Sequence, residues 1–142
     1  MGAFNKEWLC QRIVEESGDG IIFADKDGVI RLWNRGAAAI FGYSREEAIG
    51  RTLDLIVPEK LRSRHWEGFD RVMATGTTRY GQEVLAVPAV RRDGNRISIE
   101  FTVALVHDAA GKVMGVAAII RDVTARWERE KALRERVAEL EE

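Results

Sequence analysis

The stretch IIFADKDGVIRLWN, residues 21–34, decides how this chain folds. Ile21-Ile22-Phe23-Ala24 reads as a short strand, Asp25-Lys26-Asp27-Gly28 as a turn, and Val29 to Trp33 as the partner strand. Asp-Gly between two apolar runs is a hairpin signal, because glycine takes up the positive φ of such a turn without a steric penalty. A hairpin this early makes an antiparallel sheet the frame on which the rest must pack.

Working outward, Phe4 to Glu16 has apolar residues at Phe4, Trp8, Leu9, Ile13 and Val14, the spacing of an amphipathic helix. Ser17-Gly18-Asp19-Gly20 ends it. Beyond Asn34, Arg35 to Phe41 is a short alanine-rich helix stopped at Gly42. Ser44-Arg45-Glu46-Glu47 is a capping box that starts another short helix, ending at Gly50. Asp54 to Pro58 leads into a longer helix, Glu59 to Thr75, which stops at Gly76.

Three strands follow: Gln82 to Val90, Arg96 to Val106 and Val113 to Ile120, joined by turns at Arg92-Asp93-Gly94-Asn95 and Asp108 to Gly111. In the second, Ile97, Ile99, Phe101, Val103 and Leu105 alternate with Ser98, Glu100, Thr102 and Ala104, so one face is buried. Pro88 assigns the first of the three to an edge or a bulge. Asp122-Val123-Thr124 closes the sheet, with Asp122 or Thr124 as N-cap of a charged helix over 125–142. In that helix Leu133, Val137 and Leu140 follow a 4-3 spacing, a thin coiled-coil seam. The expected architecture is α+β: one five-stranded antiparallel sheet, short helices on one face, and a pocket between the layers.

Composition narrows the function. The chain has 142 residues, 46% hydrophobic and 32% charged, with a formal net charge of −1, enough for one core and without the basic excess of a nucleic-acid binder. The single cysteine, Cys10, excludes an internal disulfide and points to a reducing compartment; its place in an apolar helical stretch predicts a packed thiol. No apolar run reaches the ~20 residues of a membrane span, and no signal peptide is seen. A cytoplasmic protein, or a cytoplasmic piece of a longer one, is expected. There is no zinc spacing, Gly-rich phosphate loop or nucleophile–base signature, so the chain is not expected to be an enzyme.

Four motifs stand in order along the chain: Asp25 to Asn34 with its D-x-D-G turn and terminal W-N; Phe41-Gly42-Tyr43-Ser44 with Glu46-Glu47 and Ile49-Gly50-Arg51; Arg92-Asp93-Gly94; and Arg121-Asp122-Val123-Thr124. Together they resemble the PAS domain family over residues 18–126. The resemblance implies the strand order 2-1-5-4-3, a flanking helix at 1–17, a core at 18–124 and a signalling helix at 125–142. It also implies that Asp122 and Thr124 brace the exit strand to that helix.

His107 precedes a turn and is expected at the surface. His65 lies in the long helix that should wall the pocket, and Arg62-Ser63-Arg64-His65 resembles the segment of haem-PAS oxygen-sensing kinases whose histidine is the proximal iron ligand. A neutral imidazole is a good iron ligand and leaves the opposite axial position for a gas. The resemblance implies His65 as the haem-iron ligand, with Leu85, Ile99, Val116 and Ile119 as the apolar lining. Those sensors carry an arginine on the distal strand; the matching position here is Leu85, flanked by Val84, Ala86 and Val87. Without a donor there, carbon monoxide, nitric oxide or a redox change are as compatible as oxygen. Other roles for His65 are a cap, a pair with Glu59 or Glu67, or a place at the surface. A covalent flavin sensor lacks its cysteine motif here; noncovalent flavin or a small metabolite stays open.

The resulting expectation is a sensory module that binds a small molecule, gas or haem and relays its state through the C-terminal helix. A histidine kinase is the first choice of parent, and a cyclase, chemoreceptor or transcription regulator would read alike. The alternative is a ligand-free interaction module. In either case Phe4, Trp8, Leu9 and Ile13, with Leu133, Val137 and Leu140, are the expected homodimer contacts, with neither nucleic acid nor membrane as a partner of this chain.

Overall fold

The computed structural model describes residues 5–78 and 83–141. Phe4, Gln82 and Glu142, each named above, lie outside them. The elements are α1 (Lys6–Glu16), β1 (Gly20–Asp25), β2 (Ile30–Trp33), α2 (Arg35–Phe41), α3 (Arg45–Ala48), α4 (Arg62–Thr75), β3 (Leu85–Val90), β4 (Arg96–His107), β5 (Val113–Asp122) and α5 (Thr124–Glu141). The five strands form one sheet in the order β2-β1-β5-β4-β3, with every neighbouring pair antiparallel, as expected.

The opening hairpin is held by one carboxylate. Asp25 Oδ1 accepts from the amides of Asp27 (2.9 Å) and Val29 (3.1 Å), and its Oδ2 accepts from Arg31 Nε (2.9 Å). Gly28 sits at φ +78°, and a Cβ there would lie 2.2 Å from the Trp66 ring. The turn therefore needs glycine twice, for its backbone and for the tryptophan that lies on it.

Strand register defines two faces. Gly20, Ile22 and Ala24 share the inner face, where a Cβ on Gly20 would stand 3.2 Å from Ile40 Cδ1 of α2. Through the cross-strand pairs Ile22↔Ala118, Phe101↔Ile120, Leu85↔Phe101 and Ala89↔Ile97 this inner face continues across the sheet. The core lies between it and α2–α3: Ile22, Ile30, Trp33, Ala37, Phe41, Ala48, Ile97, Ile99 and Ile120 are buried. Trp33 packs on Phe41 and Tyr43 at ring distances of 5.7 and 6.5 Å, and its Nε1 donates to the Tyr43 carbonyl (3.0 Å). The Ser44–Glu47 capping box forms as expected, and Glu47 also pairs with Arg92 (2.8 Å), docking the β3–β4 turn on α3.

Several expectations need correction. The long helix does not start at Glu59: Glu59–Leu61 is a 3-10 turn, and α4 proper begins at Arg62. Pro58 caps that turn, its fixed φ of −55° starting a tight coil that Leu61, at φ −102°, interrupts. Among the described residues β3 begins only at Leu85, while β4 and β5 run on to His107 and Asp122. Cys10 is exposed, not packed, because α1 buries none of its residues. No helix among the described residues is long and apolar enough to cross a membrane.

Candidate functional site

The helix α4 has no side-chain N-cap and is anchored from outside instead. Arg62 reaches back to donate to the carbonyls of Val57 (3.1 Å, Nε) and Asp54 (3.2 Å). Trp66 Nε1 donates to Asp54 Oδ1 (2.7 Å) while its ring covers Gly28. At the other end Gly76, in the left-handed conformation, approaches Val113 of β5. The helix is thus tied at one end to the first hairpin and at the other to the start of β5.

Only Phe69 on α4 is buried. His65, four residues earlier, shares its face, with ring centroids 6.1 Å apart, and stands 4.9 Å from the Trp66 ring. Its Nδ1 is fully buried and has no hydrogen-bond partner. Burial pushes the imidazole pKa below its ordinary value, against the opposing pull of Asp54 and Asp70, so the neutral ring is favoured. None of the alternative roles, capping or pairing with Glu59 or Glu67, is taken up: His65 makes no hydrogen bond among the described residues. His107 is exposed, as expected.

The sheet opposite is apolar but incompletely covered. Leu85, Phe101, Val103, Leu105 and Val116 on the inner face are half-buried, and Val87 is 39% exposed. Of the four residues expected to line a cavity, Leu85 and Val116 lie on this half-covered face. Ile99 shares the face but is packed into the core at 4% exposure. Ile119 does not belong to it. It pairs with Ile21 and Thr102 on the outer face, opposite in parity to Val116 and Ile120, and is 48% exposed. A separate open cleft of about 680 Å³ lies further along α4, between Lys26, Asp70, Met73, Gly76 and Lys112, and does not include His65.

At the exit from the sheet Asp122 and Thr124 join a hydrogen-bond cluster with β4. Asp122 Oδ1 accepts from the amide (2.9 Å) and the hydroxyl (2.6 Å) of Thr124. Thr124 Oγ1 in turn accepts from the Ser98 amide on β4 (2.9 Å), and the Val123 amide donates to the Ser98 carbonyl (2.8 Å). Asp122 acts as an Asx-turn just ahead of the helix, and Thr124 is its first residue. Arg126 adds an ion pair to Glu100.

Three features had no distinct sequence signal. Asn34 is buried at 2% exposure and uses all its side-chain capacity: it accepts from Ile21 N (2.8 Å) and Ala37 N (2.9 Å) and donates to the carbonyls of Val14 (2.7 Å) and Asp19 (3.0 Å). The Trp66–Asp54 bond and the Glu100–Arg126 pair join residues far apart in sequence. Of the three, only the helix-capping half of Asn34's role could have been read from its place before α2.

Comparison with known proteins places this geometry. A family model described as the PAS fold matches residues 14–128. The chain is 27% identical over 135 residues to the sensor protein FixL of Bradyrhizobium diazoefficiens, covering 95% of this chain and 26% of that protein. It is 26% identical over 122 residues to the oxygen sensor protein DosP of Escherichia coli, covering 86% and 15%. It is 30% identical over 133 residues to the signal transduction histidine-protein kinase AtoS of the same organism, covering 92% and 21%. The chain thus spans about a quarter or less of each of these relatives. The crystal structure of a PAS domain from Colwellia psychrerythraea superposes with a TM-score of 0.74 at 21% identity, covering 85% of this chain and 99% of that one. With the family model spanning most of its length and the same open sheet in the same strand order, the chain belongs to the PAS-fold family.

Proposed function

We propose that this PAS domain is the sensory input of a longer signalling protein and holds haem between α4 and the inner face of β3–β5, with His65 as axial ligand. The observation that carries the reading is the half-buried His65, whose Nδ1 is buried without a hydrogen-bond partner, in a fold whose inner sheet face is apolar and half-covered. A buried polar nitrogen without a partner costs about 1–3 kcal/mol and calls for a group that would satisfy it. The similarity to an oxygen sensor and to a sensor protein supports the same reading.

Haem would ask the protein for a histidine ligand and an apolar slot. When bound, it would supply an iron able to take up a diatomic gas. His65 would be the ligand, kept neutral by burial and ready to coordinate without first losing a proton. Trp66, fixed by Asp54, and Phe69 pack against the imidazole ring, and Leu85, Phe101, Val103 and Val116 would offer an apolar wall. Any change in the spacing of α4 and the sheet reaches β4 and β5, and these pass it to α5 through Asp122, Thr124 and Ser98. A ligand biases such a relay only by binding one arrangement better than the other. Because the relatives include a histidine-protein kinase, a sensor kinase is the parent we propose.

Mixing the purified chain with one equivalent of hemin is expected to give a Soret band, and His65→Ala to lose it. A spectrum of free hemin with the parent chain, or an unchanged band in His65→Ala that still folds by circular dichroism, overturns the haem reading.

A second reading, an interaction module that pairs with its own copy, rests on a different observation. Trp8 and Ile13 on α1 are 51% and 61% exposed, and Leu133 and Leu140 on α5 are 65% and 75% exposed. Such stripes favour a partner that covers them. Sedimentation equilibrium is expected to show a dimer that Leu133→Glu with Val137→Glu weakens by about tenfold or more; a monomer at all concentrations excludes this role for the isolated chain.

A further inference from the structure

We infer that α4 is a gate that leaves its seat and melts as one piece while the sheet stays folded, with Trp66 as the latch that holds it shut. Opening exposes the buried side of the helix, Phe69 and His65 Nδ1, whatever the domain binds. The seat is rigid and belongs to the first hairpin. Leu53 N donates to Gly28 O (3.1 Å) and Val29 bridges to Thr52, so the neighbouring Asp54 is fixed to the turn that Asp25 holds. The polar ties of α4 to this seat come from two side chains. Trp66 donates to Asp54 with its ring on Gly28, and Arg62 reaches back to the carbonyls of Asp54 and Val57. From Ser63 to Gly76, among the described residues, no hydrogen bond or ion pair reaches a strand.

Little else holds the helix. Phe69 is its one buried residue, and the open cleft of about 680 Å³ separates its last turns from the turns at Lys26 and Lys112. The helix is also weak in itself. Gly68 lies in its interior, where glycine lowers the helix equilibrium about four- to fivefold relative to alanine. No neighbour requires glycine there: a Cβ would meet nothing within 4 Å, and the backbone is not left-handed. Both borders are breaks in the coil, Leu61 at φ −102° without a side-chain cap and Gly76 at φ +71°. Fourteen residues with an interior glycine do not keep a helix in water without support from packing. Release from the seat and melting are therefore one event, and its free energy is set by the latch and by Phe69.

Native-state amide exchange of the purified chain, with no ligand added and with urea kept below the unfolding transition, tests the gate. After correction for intrinsic rates, the amides from Trp66 to Gly76 are expected to exchange through one shared opening, about tenfold or more faster than those of β1 and β5 and with a weaker dependence on urea. Asp54→Ala removes the acceptor of the latch, and Trp66→Phe removes its donor and trims its ring. Each is expected to speed the α4 amides by about tenfold or more and to leave β1 and β5 as they were. Gly68→Ala is expected to slow the same amides about four- to fivefold. Should α4 open only together with β1 and β5, at the same rate and the same urea dependence, the gate is overturned. It is equally overturned by parent rates in α4 of folded Asp54→Ala, which serves if Trp66→Phe does not fold. Either failure leaves the haem proposal standing, and a missing Soret band leaves the gate standing.

Discussion

Asn34→Ala is expected to cost about 3–5 kcal/mol of folding stability and to lower the melting temperature by about 10–20 °C. The residue is a knot between three elements. Its carbonyl oxygen caps α2 through Ala37 N and pairs with Ile21 N of β1, while its amide holds the last turn of α1 through Val14 O and the connecting segment through Asp19 O. Alanine leaves two backbone donors and two backbone carbonyls short of a partner at a site that is almost fully buried. The loss of a buried partner, and not the small net worth of a solvated hydrogen bond, sets the size of the effect. No side-chain movement can relieve it, because the packing there is backbone on backbone: a Cβ on neighbouring Gly36 would lie 2.1 Å from Asp19 O. Asn34→Asp keeps both acceptor roles but sets an anionic oxygen against two carbonyls, so it is expected to recover only part of the loss. Urea denaturation of the three chains checks the order. A change below about 1 kcal/mol for alanine would show that water or a shift of α1 replaces the knot.

How much of this was legible in the sequence follows from which signals were local. The hairpins, the capping box and the glycine stops could be read because each is encoded within a few residues. The strand order could not be read from turns, since β1–β5 pairing joins residues about a hundred positions apart, and it came only through the family motifs. The face of each residue was legible where apolar and polar side chains alternate, as in β4. It was not legible in Val116-Ala117-Ala118-Ile119-Ile120, where both parities are apolar, and Ile119 was assigned to the wrong face for that reason. Ile99 was placed on the right face, but sequence does not say where α2 ends its cover and the open part begins.

The same limit applies to the candidate site. His65 stood out by its motif, yet the lack of any partner for its ring became visible only with Asp54, Trp66 and Phe69 in place. Gly28 was read as a turn residue, and its second role, making room for Trp66, is a tertiary one. Cys10 was expected to be packed because α1 has an apolar stripe. An amphipathic pattern says that a face wants cover, not that this chain supplies it, and here the stripe is exposed.

The brace at the sheet exit makes the second large prediction. Thr124→Val keeps the shape of the side chain and removes its hydroxyl. The Ser98 amide then loses its acceptor, and Asp122 Oδ1 keeps only the Thr124 amide. The local opening free energy at this junction is expected to fall by about 1–3 kcal/mol, seen as roughly five- to 150-fold faster amide exchange at Ser98 and in the first turn of α5. Exchange in β1 and the rest of the core is expected to stay as it was, because none of those amides depends on Thr124. Asp122→Ala is expected to act on the same amides, and the double variant to cost less than the sum, since the two side chains share a hydrogen bond. The Arg126–Glu100 pair is no substitute: Arg126 is about half exposed, and pairs of that kind contribute little. Should Ser98 exchange at the parent rate in Thr124→Val, α5 would be held by packing alone, and Asp122 and Thr124 would no longer be the link between sheet and helix.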